Sequence, residues 1–161
     1  MEPLPQLIVF DLDFTLWDCG GTYCDCLSAP FYEKAGIVFD GSGRQLQLYP
    51  DVDSIIQHCD RAGIELAIAS RTLEPAWARQ ILDLMNASQH FSFSEIYPSS
   101  KLQHFEALQR DSGIDFHDML FFDDEMRNVR EVSELGVTCI FVENGMTTAV
   151  FEDGLRRFQQ A

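Results

Sequence analysis

Two carboxylates stand one residue apart at the end of an apolar run: Leu7-Ile8-Val9-Phe10 leads straight into Asp11-Leu12-Asp13-Phe14-Thr15. Ionised acids this close repel each other and resist desolvation, so a buried strand ending in them needs something to neutralise it. A divalent cation, a shared proton, or both would serve, and each implies chemistry. Other polar residues follow other apolar runs. Ser70-Arg71 comes after residues 64–69, Lys101 after Glu95-Ile96-Tyr97, and Asp123-Asp124 after residues 119–122. At carboxyl ends of parallel strands, all of them would meet in one crevice, the edge where open α/β sheets bind ligands.

The charge count selects the ligand. Four carboxylates bring about −4, while Lys101 and one Mg²⁺ together supply +3, with Arg71 as a further cation. An oxygen-only donor set suits Mg²⁺, which commonly bridges to a substrate phosphate. A phosphoryl group completes the site, with metal on one side and the Lys101 ammonium and Ser70 hydroxyl on the other. Phosphoryl transfer asks mainly for positioning and electrostatic stabilisation. Asp11, first off its strand, is the candidate nucleophile for an aspartyl phosphate. Asp13 then suits the acid–base role, protonating the leaving oxygen and later taking a proton from water.

The elements that must position these residues alternate along the chain. Apolar stripes at helical spacing over 51–62, from Pro75 onward, after Lys101, after Asp124 and over 149–158 separate strands at 7–10, 64–69, 95–97, 119–122 and 137–142. Strands alternating with helices of this length predict an α/β fold, a parallel sheet sandwiched by helices. The exception is 17–48, whose glycines at 20, 21, 36, 41 and 43 predict an irregular flap over the sheet edge near Asp11. Within it Asp40-Gly41-Ser42-Gly43 reads as a hairpin turn. Trp17 reads equally as core or as substrate wall, and Asn128 as a brace for the site.

Composition bounds the rest. The 161 residues suit one domain with 17–48 as an insert, and 46% hydrophobic content argues against disorder. A net charge of −15, from 26 acids against 11 bases, disfavours nucleic acid and anionic membranes as partners. No apolar run reaches membrane-span length and Met1-Glu2-Pro3 has no basic, apolar leader, so a cytoplasmic monomer is the expectation. Five cysteines without a secretion signal read as reduced thiols. Cys24-Asp25-Cys26 spaces its thiols too closely for a zinc pair, and with Cys19 is better read as loop thiols. His58, His90, His104 and His117 read as surface or packing residues.

The ordered set Asp11-Leu12-Asp13-Phe14-Thr15, Ser70, Lys101 and Asp123-Asp124 resembles the four motifs of the haloacid dehalogenase superfamily. Its magnesium-dependent phosphatase branch looks closer still, through Phe10 to Trp17, Leu48-Tyr49-Pro50, Ala69-Ser70-Arg71-Thr72, Glu95-Ile96-Tyr97-Pro98, Phe121 to Glu125 and Leu135 to Cys139. The resemblance implies a Rossmann-like three-layer sandwich without a separate cap domain and a Mg²⁺-dependent aspartyl-phosphate mechanism. It implies metal ligation by Asp11, the Asp13 main-chain carbonyl and Asp124, with Asp123 behind them holding a metal-bound water. Phosphate would be held by Ser70, Lys101 and main-chain amides near Leu12, with Arg71 on the phosphate or leaving group.

The substrate implied is a phosphotyrosine-like or a sugar or ketoamine phosphate, carried by a phosphorylated small molecule or a phosphopeptide. One departure stands out. Members carry a second tryptophan after a Trp-Pro step, where this chain reads Trp17-Asp18-Cys19-Gly20, so its substrate preference is expected to differ. Two other classes compete: a phosphorelay receiver, and a catalytically idle phosphoprotein-binding domain.

Overall fold

The structure is a computed structural model describing residues 2–161. Its centre is a parallel sheet of β1 (Leu7–Phe10), β6 (Glu65–Ser70), β7 (Phe93–Ile96), β8 (Met119–Asp123) and β9 (Thr138–Phe141). The strand order is β7-β6-β1-β8-β9. Counted within the core this is 3-2-1-4-5, the doubly wound order, whereas receiver domains use 2-1-3-4-5. β1 is therefore central, with Phe10 beside Ile68 on one side and Phe122 on the other.

Both faces of the sheet are covered, which explains why its strands are apolar at nearly every position. Ile8, Phe10, Leu66, Ile68, Leu120 and Phe122 face one core layer, shared with α1 (Val52–Ala62), α2 (Pro75–Leu84) and α5 (Thr148–Gln160). Leu7, Val9, Ala67, Ala69, Met119 and Phe121 face the other, under α3 (Lys101–Ser112) and α4 (Met126–Ser133). Helix ends follow local chemistry: Gly63 and Gly113 close α1 and α3 in the left-handed conformation, and Pro75 opens α2. Gly154 lets α5 approach the sheet, since a Cβ there would lie 2.5 Å from the Phe122 ring. No described helix is long and apolar enough to cross a membrane.

The segment 17–48 departs from the irregular flap predicted for it. It forms a second, antiparallel sheet in the order β2-β5-β4-β3, from β2 (Trp17–Asp18), β3 (Tyr32–Lys34), β4 (Ile37–Phe39) and β5 (Gln45–Leu48). Short strands with scattered glycines hide this pairing from periodicity, because so few residues alternate in each. The predicted hairpin turn does lie between β4 and β5. Its organiser is Asp40, fully buried, which accepts from the amides of Ser28, Ser42 and Arg44, from the Ser42 hydroxyl and from the Arg44 guanidinium. Burial alone would raise this carboxyl, but those hydrogen bonds outweigh it and hold it at about 2. A carboxylate lowered on folding adds stability above its ordinary value and loses it as pH falls through about 2.

Asp40→Ala strands three backbone donors at once, so it should cost about 3 kcal/mol in urea unfolding at neutral pH. An unchanged midpoint would remove Asp40 as the organiser of this sheet.

Candidate active site

Strand order creates the site. The sheet reverses direction of winding between β1 and β8, and ligands of open α/β sheets bind outside the carboxyl ends at that switch point. A cleft of about 260 Å³ opens there, lined by Asp11, Asp13, Ser70, Arg71, Lys101 and Asp124 among the predicted residues. Tyr23, Asp25, Thr72, Glu125 and Asn128 line it as well. Asp123 lies fully buried beneath, and Leu12 is buried in the β1 turn.

Lys101 is the hub. It opens α3, whose N-cap Ser100 accepts from the Gln103 amide, and its side chain is only 1% exposed. The ammonium lies 3.0 Å from Asp11 Oδ1 and 3.3 Å from Asp123 Oδ2, bonds the Ala69 carbonyl, and sits 5.4 Å from the Phe121 ring centroid. Burial would pull this ammonium down, but Asp11 and Asp123 outweigh it and hold the group above its usual range. One cation does not balance the acids around it. Burial pushes Asp11 up to about 7, against Lys101 and with the help of Asp124. Burial and the neighbouring Asp11 push Asp123 up to about 7.

Carboxylate oxygens of Asp11, Asp123 and Asp124 all lie within 4.8 Å of one another. Hard oxygens in that number, short of positive charge, fit a divalent cation such as Mg²⁺. The three differ in freedom. Asp123 Oδ1 accepts from the Glu125 amide at 2.8 Å, and its Oδ2 from Asn128 Nδ2 at 3.1 Å and from Lys101. Among the described residues Asp124 receives one long contact from the Thr15 hydroxyl at 3.5 Å and otherwise faces Asp11, with which it shares a side-chain hydrogen bond, and it is raised chiefly by burial. Asp124 is thus the freer donor of the pair.

Asp13 is held by one oxygen. Its Oδ1 accepts from the Trp17 indole at 2.8 Å and the Cys24 amide at 3.1 Å. Among the described residues no donor reaches Oδ2, and burial raises the carboxyl despite those two bonds. Trp17 is fully buried, so it is core rather than substrate wall, yet its N–H orients the acid. The turn is tight: Leu12 O accepts from the amides of Thr15, Leu16 and Trp17, and Phe14 takes a left-handed φ of 60°. Among the described residues the Leu12 amide has no protein acceptor and the Asp13 carbonyl no protein donor.

Ser70, 2% exposed, accepts from the Thr72 amide at 3.3 Å, leaving its hydroxyl proton free. Arg71 Nη1 donates to Asn128 Oδ1 at 3.2 Å, so buried Asn128 braces both Arg71 and Asp123. Sequence reasoning missed Tyr23, Asp25 and Glu125 as lining residues. Only Glu125, adjacent to the acidic pair, carried any signal; Tyr23 and Asp25 arrive on a flap whose path no local pattern specifies. Cys19 and Cys24 are buried and Cys26 is exposed, and burial pushes the Cys24 thiol up to about 12.

Comparison with known proteins gives the family to which this cleft belongs. A family model of acid phosphatases matches residues 3–161. The human magnesium-dependent phosphatase 1 is 45% identical, over 100% of this chain and 91% of its own length. A HAD-like hydrolase superfamily protein of Schizosaccharomyces pombe is 38% identical over 83% of each chain. A HAD-superfamily hydrolase from Ehrlichia chaffeensis shares the fold, with a TM-score of 0.68 at 13% identity over 99% of this chain and 98% of that one. By sequence and by fold, the chain belongs to the acid phosphatase family and to the HAD-like hydrolase superfamily.

Proposed function

We propose that this chain is a Mg²⁺-dependent phosphomonoester hydrolase working through an aspartyl phosphate on Asp11. The phosphatase class follows from the family, and magnesium from the oxygen donor set and the human relative's name. The observation that carries the mechanism is the contrast between two acids one residue apart. Asp11 is pinned against the Lys101 ammonium beside the metal donors, whereas Asp13 keeps one oxygen unbonded at the cleft.

Asp11, the Asp13 carbonyl and Asp124 would hold the cation, with Asp123 fixed behind them by Asn128 and Lys101. The cation, when bound, neutralises charge on the phosphoryl oxygens. Ser70, Lys101 and the Leu12 amide hold the phosphoryl group, and Arg71, braced by Asn128, contacts phosphate or leaving group. An Asp11 oxygen attacks phosphorus while Asp13 passes its proton to the departing ester oxygen. Asp13, now ionised, then takes a proton from the water that cleaves the aspartyl phosphate. Burial raises the Asp13 carboxyl above its ordinary value, the direction that favours the protonated acid the first half-reaction needs. The substrate is a phosphorylated small molecule or phosphopeptide, with a phosphotyrosine-like, sugar or ketoamine leaving group.

Chelation with EDTA should abolish hydrolysis of p-nitrophenyl phosphate and Mg²⁺ should restore it; persistent activity after chelation would sink the charge argument. Asp11→Asn should leave no detectable turnover. Asp13→Asn should bind vanadate yet lose about 10²- to 10⁴-fold in kcat; near-normal turnover in either variant would reassign the roles. An idle phosphoprotein-binding domain would show no Mg²⁺-dependent turnover at all.

The acidic cluster also predicts a pH dependence. Asp11 and Asp123 rise from 3.8 to about 7 on folding, so the stability they contribute is present below 3.8 and is lost as pH rises through about 7. Mg²⁺ binds the deprotonated donors. Saturating Mg²⁺ should therefore raise Tm strongly at pH 8 and little at pH 5, and an equal shift at both would show that these carboxyls do not titrate with the metal.

A further inference from the structure

Beyond the groups that hold phosphate and metal, the cleft has a wall with no role yet in the reaction. Tyr23 lines it and remains 49% exposed, the only large aromatic side chain among its lining residues. Its ring is not loose. Phe14 packs against it edge-on, with centroids 5.2 Å apart at 86°, and Phe14 itself is fixed by the left-handed turn between Asp13 and Thr15. The phenol lies near Glu125, Asp124, Asp13 and Asp11, which, after partial burial, hold it above its usual range. It therefore presents a neutral ring.

Two carboxylates stand on the same wall, Asp25 and Glu125. Asp25 Oδ2 accepts from the Leu73 amide at 3.4 Å and Glu125 Oε2 from Asn128 Nδ2 at 3.4 Å, while the nearest cation to Glu125, Arg127, is 3.9 Å away. Altogether Asp11, Asp13, Asp25, Asp124 and Glu125 line the cleft against Lys101 and Arg71. With Asp123 buried beneath them and also paired to Lys101, one Mg²⁺ leaves an excess of two negative charges, and a phosphate dianion then makes the excess four, or three with Asp13 protonated. A second anion on the same substrate meets that excess at short range, in a protein already at −15.

We infer that Tyr23, buttressed by Phe14, is the platform on which the ester's leaving group rests, and that Asp25 and Glu125 bar leaving groups carrying a second anion. This rests on the phosphatase reading of the cleft and assigns its specificity. The substrate class is a monoester whose leaving group offers a flat face to the tyrosine ring and carries no carboxylate or further phosphate.

The test is a panel of esters in Mg²⁺, comparing ratios of kcat/KM. Tyr23→Ala should lower the phenyl phosphate to glycerol 3-phosphate ratio about tenfold, as expected for loss of one aromatic contact, and Tyr23→Phe should keep it. Wild type should prefer glycerol 3-phosphate over the near-isosteric 3-phosphoglycerate by at least about tenfold. The Asp25→Asn, Glu125→Gln double variant should close that gap. A ratio unmoved by Tyr23→Ala overturns the platform, and equal use of the two glycerol-type esters, or a gap surviving in the double variant, overturns the anion bar. Hydrolysis of no ester by wild type would overturn the phosphatase reading itself, a result distinct from these.

Discussion

Three buried or half-buried carboxylates share the floor of the cleft with one buried ammonium, and everything else in the molecule is arranged around that imbalance. Asp11, Asp123 and Asp124 sit within 4.8 Å of each other, and among the described residues Lys101 alone pairs with them from inside the protein. Separating such charges from water without compensation costs several kcal/mol for each ion. Protons on the acids relieve it when the cation is absent, and two added positive charges relieve it when the cation is bound. The same deficit suits the cluster to a small, doubly charged, oxygen-seeking ion.

The sheet order turns that deficit into a place. Because β1 is central and β8 lies beside it, the residue after one strand and the residues ending the other meet at a single switch point. Phe10 and Phe122, paired across the strands and stacked with centroids 5.4 Å apart, set the spacing just below the acids. Gly154 lets α5 close over that pair. Packing several residues away thus fixes how near the carboxylates come.

This much was legible in the chain alone. Apolar runs ending in Asp, Ser or Asp-Asp announce both a buried parallel strand and what stands at its end, so core and primary site emerge from one pattern. A lysine alone would usually be solvated; Lys101 was readable because it follows a strand, at the same edge as the acids. What escaped, beyond the hairpin turn at Asp40–Gly43, was the pairing of the flap and what it brings to the cleft. Its strands run two to four residues, too short for alternation to register, and its hub is one aspartate collecting donors from Ser28, Ser42 and Arg44. Tyr23 and Asp25 reach the cleft only through that long-range closure. Trp17 was ambiguous for a related reason: its burial and its hydrogen bond to Asp13 serve core and chemistry together.

That bond has a consequence for how the molecule wears out. Asp13 follows β1 of the central sheet, but both groups steering it, the Trp17 indole and the Cys24 amide, are supplied by residues 17–48. Loosening of the small sheet would disorient the proposed proton donor while leaving the proposed nucleophile and the acidic cluster untouched. Under the mechanism proposed above, a partly frayed molecule would still capture a phosphoryl group from a reactive ester and then release it slowly, so damage to the periphery would surface first as a stalled covalent adduct.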